Sequence, residues 1–525
     1  MTKTSAVTQH EFAWRKLASA VPTRALLVWA ALAILYAVLL RNVARFAYNA
    51  WLSAIFSGEL DYGEGIVWQQ ARLIPSSRMY GDLQQEPFLA FNYPPLYHVV
   101  VNTISSAGMP WLMAARTVSI LSLCAIAAMA GLFVMESSRR PEDRARPWAD
   151  PARHAAVIAA LASGLLIFSL DPLRFWARTA RVDMLAYALE MTGMYLVLRG
   201  LNRRGQLHTA GCFFIAALFT KQTVLMGAVA AFAVALYYDR RRALRAAFTA
   251  LALGVAAFAA LSFATHGGFA RHIISYNVNR FSMSDALHKT LRIGGENIAP
   301  AFGLIAIVTL IGLMVRRLAP GTRSVSIGGH IIAIYSVLAA VGVIALGQSG
   351  GTSNYLIPML CGIAMLIGLT VGESARRFSD SHGYATVFVV LTAMLIAQTL
   401  AERRVGEQVL IDPGLRRQSA ELVAMIRAAD KPVFSEDMVL LGQAGKDIAW
   451  EPSMISELSA MGVFDEQKII TLINARAFAF AVENDTQNIA LINERYSPAV
   501  RQALETAYPV TRLLAGKRVL LPRDQ

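Results

Sequence analysis

The segment Gly58-Glu59-Leu60-Asp61-Tyr62-Gly63-Glu64-Gly65 sets two carboxylates, Asp61 and Glu64, three residues apart. On one helical turn they share a face. Neighbouring carboxylates repel, which raises one pKa toward the range in which a side chain takes a proton from an attacking hydroxyl. The same pair would suit a solvated helix start, where the dipole favours acids. Further on, Asn92-Tyr93-Pro94-Pro95-Leu96-Tyr97 is stiffened by its prolines, each fixing its own φ and restricting the residue before it. Such a segment either holds Asn92 and Tyr93 at a set angle over a site or simply turns the chain back into an apolar run.

Cations follow. Arg174, Arg178 and Arg181 are spaced by four and three, on one helical side, and Asp183 comes close behind. Arginine forks suit phosphate; pairing with Asp171, Asp183 or lipid headgroups accounts for them equally well. Lys221, in Leu218-Phe219-Thr220-Lys221-Gln222-Thr223, stands alone between two apolar runs. A lysine at that depth needs a partner. A phosphate ester or pyrophosphate would serve, as would Asp61, Glu64 or Asp183; otherwise the side chain snorkels to the interface. The loop 265–298 carries His266, His272, His288, Asn277, Asn279 and Arg280. The histidines lack the tight spacing of a metal pair and read as loop residues. Gly350-Gly351-Thr352-Ser353-Asn354-Tyr355 opens a late apolar run. Backbone N–H groups at such a helix start favour anions, although an ordinary turn has the same composition.

The elements that must position these residues are membrane helices. Of 525 residues, 55% are hydrophobic and 16% charged, and the mean hydropathy is +0.45. An ordinary soluble domain carries roughly 25% charged residues. The fold class is therefore a polytopic α-helical membrane protein with room for one soluble appendage. A span needs roughly 20 mainly apolar residues. About eleven are expected, near 25–46, 112–135, 154–170, 183–199, 207–220, 222–238, 246–264, 299–315, 327–346, 355–372 and 384–400, and the fifth and sixth are short enough to merge.

The formal net charge of +14 sits mostly in short loops rather than on a soluble basic face, which argues against a nucleic-acid partner. The connections 136–153, 199–206, 239–245, 316–326 and 373–383 carry five, three, four, three and two Arg/Lys. They alternate with poorer loops, so the positive-inside rule puts them and the tail 1–24 in the cytoplasm. The opposite face then holds the first outer loop 47–111, 171–182, the turn at Lys221, 265–298, 347–354 and everything after 401. The arginines of 171–182 break that rule. The first apolar run reads as a retained span rather than a signal peptide. Cys124, Cys212 and Cys361 lie in apolar runs without ligand spacing. Beyond Ala401, amphipathic helices (Leu415–Ala429, Asp465–Ala475) alternate with strand-like Pro432-Val433-Phe434, Ala477–Val482 and Arg518–Leu521, which predicts a small α/β domain over 401–525.

Taken together, these motifs resemble the GT-C glycosyltransferases that use polyprenyl-phosphate sugars, in particular the bacterial set related to protein O-mannosyltransferases and lipid A aminoarabinose transferases. The resemblance covers about 25–400. In the family, the first outer loop bears an Asp-Glu pair followed seven residues later by Ala in an amphipathic helix; Glu64 and Ala71 keep that interval. Pro94-Pro95, Asp183, Thr220-Lys221-Gln222 (Gln for the family's Gly) and Asn354-Tyr355 (Asn for Arg) match further motifs in order. One departure concerns chemistry: the family's paired Asp falls on Gly63, and the nearest replacement is Asp61, so the base is left open between Asp61 and Glu64.

The resemblance implies sugar transfer on the periplasmic face of a bacterial inner membrane. The donor would be a sugar on undecaprenyl or decaprenyl phosphate, and the acceptor a cell-envelope glycan, lipid or protein. An acceptor hydroxyl attacks the anomeric carbon with inversion, and the lipid phosphate leaves. Asp61 or Glu64 would be the general base, with Asp183 orienting the acceptor or Lys221. Lys221, Arg181 and Arg178, with Tyr93, Asn354 and Tyr355, would hold the donor phosphate. No cofactor is required and no metal-ligand set is evident, although some relatives hold a divalent ion with such acids. Two other classes fit parts of the pattern: a lipid-linked sugar flippase or transporter, and a non-catalytic sensor whose C-terminal domain reads a ligand. Transporters often carry internal repeats, and none is visible here.

Overall fold

Apolar runs interrupted by arginine-rich connections fold as helices, because a helix satisfies all of its backbone polar groups within one segment. The computed structural model describes residues 23–74, 76–202, 206–277, 279–296, 326–378, 382–400, 413–486 and 489–523. Helices occupy ten of the anticipated span positions: Thr23–Ile55, Trp111–Ser138, Ala155–Leu166, Asp183–Asn202, Leu207–Leu218, Met226–Tyr238, Arg240–Ala264, Ile327–Gly342, Ile357–Arg377 and His382–Leu400. The remaining position, 299–315, and most of the tail 1–24 lie outside the described residues.

Six stretches among the described residues are long and apolar enough to cross a membrane: Ala25–Ile55, Trp111–Ser138, Pro151–Ser169, Arg240–Ala264, Ile327–Gly347 and Ser353–Arg377. The expected count of about eleven is thus not reached on that criterion, for local reasons. Asp183–Asn202 carries Asp183, Glu190 and Arg199. Leu207–Leu218 and Met226–Tyr238 are short because the turn around Thr220-Lys221-Gln222-Thr223 separates them; they do not merge.

In lipid there is little hydrophobic drive between helices, so small residues that let backbones approach closely do the packing. Gly368 and Gly372, one turn apart on Ile357–Arg377, face Ala155 and Ala159: a Cβ on Gly368 would lie 2.6 Å from the Ala159 carbonyl oxygen, and one on Gly372 2.7 Å from that of Ala155. Gly131 and Gly164 make the matching contact between Trp111–Ser138 and Ala155–Leu166, with the Ala160 and Ala127 carbonyls at 3.1 and 2.9 Å. These three helices form the centre of the bundle. At the arginine-rich end, Arg376 is clamped between Asp143 (2.8 Å) and Glu373 (2.5 Å), and Arg140 also reaches Glu373 (2.9 Å).

The C-terminal residues form a four-stranded sheet of order β1-β2-β4-β3, with β1 Phe434–Ser435, β2 Ala481–Asn484, β3 Val510–Leu514 and β4 Lys517–Leu521. β1 and β2 are parallel; the other pairings are antiparallel. Helices Pro413–Ala428, Gln467–Asn474 and Pro498–Ala507 surround it. Strand β3 was not anticipated. Its residues are mostly exposed, so it lacks the alternation that marks a half-buried strand. It forms by hairpin closure, through Ala515 and Gly516, both at positive φ (55° and 68°), a geometry that matches strand twist. The sheet does not stand apart from the membrane part. Leu422, Met438 and Leu441 share one apolar core with Ile66, Leu73, Tyr80 and Phe91 of the segment between the first two long helices. The Phe88 N–H donates to the Ala449 carbonyl at 2.8 Å.

Gly372→Leu should destabilise the central helix trio by about 1–3 kcal/mol, the usual cost of overpacking. Thermal unfolding in detergent would show it, and a comparable substitution on the lipid side of Arg240–Ala264 should be silent.

Candidate functional site

Five segments meet at the end of the bundle opposite the Arg376 cluster: the loop Phe56–Gly63, the proline segment 92–96, the connection 178–183, the turn at Lys221 and the stretch 348–355. Each is held by side chains of the others. Leu96 N–H donates to the Phe219 carbonyl (3.0 Å), while the amides of Gln222 and Asn277 donate to the Asn92 carbonyl (2.9 and 2.8 Å). The rigid Pro94-Pro95 segment is thereby stapled beside the lysine turn, which puts Tyr93 over the site.

Charged groups within this ring are paired. Lys221 Nζ lies 2.6 Å from Asp183 Oδ1, and Asn354 Nδ2 donates to the same oxygen at 3.0 Å. The Tyr355 ring sits 5.2 Å from the ammonium, and its hydroxyl donates to Gln348 Oε1 (3.0 Å). Arg181 Nη1 is 3.2 Å from Asp61 Oδ2, and Arg181 Nη2 donates to the Tyr93 hydroxyl at 3.0 Å. Its guanidinium is flanked by the Tyr93 and Trp176 rings at 5.8 and 5.7 Å. Burial raises the Asp61 carboxyl above the ordinary aspartate range, against the opposing pull of Arg181. Arg178 Nε donates to the Arg174 carbonyl at 3.2 Å.

Glu64 has a different environment. It opens the helix Glu64–Leu73 and is fully buried. Its Oε1 accepts from Arg116 Nε (2.9 Å) and the Ala180 N–H (2.7 Å); its Oε2 accepts from Arg116 Nη2 (2.6 Å) and the Leu60 N–H (2.8 Å). That fills the four acceptor positions of a carboxylate. Arg116 spends its remaining donors on the carbonyls of Ser53 (2.9 Å), Phe56 and Gly58 (2.7 Å). Sequence reasoning missed Arg116, although a lone arginine inside the apolar run 112–135 is itself a signal, since an intramembrane ion needs a partner.

Gly63 stands in close contact with Arg181. A Cβ on Gly63 would fall 1.3 Å from Arg181 Nη1 and 3.3 Å from Asp61 Oδ2. The guanidinium fills the space of a residue-63 side chain, and the Asp61 carboxylate reaches the same place from two residues earlier. Of the loop histidines, His272 is structural. Its Nδ1 accepts from the Phe91 N–H (2.9 Å) and its Nε2 donates to the Gly81 carbonyl (2.7 Å), and burial lowers its pKa to about 4. Among the described residues no group of three or more His, Cys, Asp or Glu could hold a metal ion. Asp61 is matched to Arg181 and Asp183 to Lys221.

Arg116→Met would leave Glu64 buried without its counter-charge and should cost about 3–5 kcal/mol. Combining it with Glu64→Gln should recover part of that loss, as read by thermal unfolding in detergent.

The residues 91–341, just under half of the chain, match the model of glycosyltransferase family 87. No curated protein matches the sequence. Among solved structures, ArnT from Cupriavidus metallidurans in the apo state superposes with a TM-score of 0.54 at 14% identity, covering 91% of this chain and 97% of that one. The same protein bound to undecaprenyl phosphate gives 0.53 at 14% identity with the same coverage. The chain is thus similar over residues 91–341 to a glycosyltransferase family, and it shares the overall fold of ArnT.

Proposed function

We propose that this protein transfers a sugar from a polyprenyl-phosphate donor to a hydroxyl of a cell-envelope acceptor, at the outer face of a bacterial inner membrane, with its C-terminal domain on the same side. The observation that carries this reading is the meeting of Asp61, Arg181, Asp183 and Lys221, drawn from separate segments, at one end of the bundle. The match to a transferase bound to undecaprenyl phosphate supports the class of donor.

Asp61 is the base. Its carboxylate is partly exposed and holds a single arginine pair, whereas every acceptor position of Glu64 is taken, so Glu64 orients the loop. The acceptor hydroxyl gives its proton to Asp61 as its oxygen attacks the anomeric carbon from the face opposite the phosphate, which inverts the configuration. The glycosidic C–O bond to phosphate breaks and its electron pair leaves on the phosphate. Lys221 and Arg181 stabilise that charge, with Tyr93 and Tyr355 at the rim of the same space. Fixed cations in a water-poor site are most effective where charge grows in the transition state. Asp183 and Asn354 hold the ammonium in place until phosphate arrives.

Mass spectrometry of envelope glycans with and without the protein identifies the sugar and its acceptor. In that assay Asp61→Asn should lower transfer by about 10²–10⁴-fold, the usual worth of a general base. Lys221→Ala should lower it by about 10²–10³-fold. Full transfer by both variants, in folded protein, would refute the site, and lipid flipping in vesicles without glycosyl product would replace the reading with transport.

A base works only when deprotonated, so transfer should fall as pH drops through the raised pKa of Asp61, with the acidic limb above the ordinary aspartate range. Arg181 holds that pKa down, so Arg181→Gln should move the limb to still higher pH in an initial-rate profile.

A further inference from the structure

Tyr62, between Asp61 and Gly63, points away from the cation ring and into the C-terminal domain. Its hydroxyl donates to Glu451 Oε1 at 2.7 Å. Its ring lies under the Arg495 guanidinium, 4.2 Å from Cζ to centroid, a cation–π distance. Both partners are buried and further bonded. The Glu451 carboxylate is 5% exposed and caps the helix Pro452–Ala460, taking the N–H groups of Ser453 (3.1 Å) and Met454 (2.5 Å). Arg495 is 9% exposed and pairs with Glu436 at 3.2 Å, which in turn accepts the Asn484 N–H of β2 at 2.6 Å.

Consecutive side chains are thus anchored to opposite bodies: Asp61 to Arg181 of the membrane part, Tyr62 to the sheet and helices of the C-terminal domain. The peptide between them cannot rotate without breaking one anchor. Two further contacts bring the domain against the same loop. A Cβ on Gly65 would lie 2.5 Å from the Met438 backbone, and Gln443 Nε2 donates to the Ser57 carbonyl.

We infer that Tyr62, Glu451 and Arg495 are positioning residues that fix the direction of the Asp61 carboxylate, so the C-terminal domain works as a clamp on the catalytic loop. The inference rests on the proposed transfer with Asp61 as base. It assigns chemistry to a domain whose sequence carries none, and makes no use of it as a reader of ligands. An error of about 1 Å in the placement of a catalytic group can cost as much as 10²-fold in rate, so the clamp has a large kinetic lever.

The test uses the full-length protein, with Tyr62→Phe, Glu451→Ala and Glu451→Gln produced in cells lacking the wild-type chain. Three readouts are taken: thermal unfolding in detergent, stabilisation by undecaprenyl phosphate as the donor-side probe, and the rate of glycan product formation by mass spectrometry. Tyr62→Phe keeps the ring over Arg495 and loses only the hydroxyl; it should lower the rate about tenfold while stabilisation by undecaprenyl phosphate stays at the wild-type value. Glu451→Ala should do the same. Glu451→Gln, which retains one acceptor oxygen for the Tyr62 hydroxyl and the Ser453 N–H but loses the acceptor of the Met454 N–H, should restore part of the rate. Should Glu451→Ala not fold, Tyr62→Phe carries the test alone.

A wild-type rate in folded Tyr62→Phe overturns the inference. So does a rate loss that tracks unfolding temperature across all variants with no advantage of Gln over Ala. If Asp61→Asn abolishes transfer while Tyr62→Phe is silent, only the clamp fails; if Asp61→Asn transfers at full rate, the functional reading fails with it.

Discussion

The buried contact between Glu64 and Arg116 is the constraint on which the site depends. All five guanidinium donors and all four carboxylate acceptor positions are used, and the groups they reach come from four places: the end of the first helix, the loop after it, the second long helix and the connection before Asp183. A buried ion pair contributes little net stability compared with well-packed apolar groups, but losing one partner is costly. Its effect here is geometric. It fixes where the loop crosses the bundle, and so forces Asp61 toward Arg181 and Tyr62 toward the C-terminal domain.

Two other acids of the site follow the same rule: an isolated ion away from water is prohibitive, and Asp61 is met by Arg181 and Asp183 by Lys221. These two pairs differ from Glu64–Arg116 in being incomplete. Arg181 divides its contacts between a carboxylate and a phenol, and Lys221 sits over an aromatic face. Cations held this way can exchange part of their coordination for a phosphate, whereas the saturated pair cannot. In the proposed mechanism, that contrast is what assigns Glu64 to the scaffold and Asp61 to the reaction.

Any side chain at Gly63 would collide with Arg181, and Asp61 brings a carboxylate to the same place from two residues upstream. The C-terminal sheet completes the arrangement from the other side. Its apolar core is continuous with that of the segment between the first two long helices, so the two have to be considered together.

The sequence alone determined the helices and the side of the molecule on which their connections meet. Hydropathy needs only neighbouring residues, and a helix closes its own hydrogen bonds. Asp183, Lys221 and Asn354-Tyr355 were legible for the same reason: each interrupts an apolar run at its end. Charge within a single run also bore on Arg116, though its partner was not legible, because Glu64 lies 52 residues away and the pairing exists only once the helices are packed. The roles of the two acids could not be separated either. Asp61 and Glu64 share composition and spacing, and only the hydrogen bonds around each carboxylate, drawn from distant segments, tell them apart. Strand β3 and the anchor of Tyr62 on Glu451, across 389 residues, were decided by the tertiary structure as well, since hairpin closure and domain contact leave no local period to read.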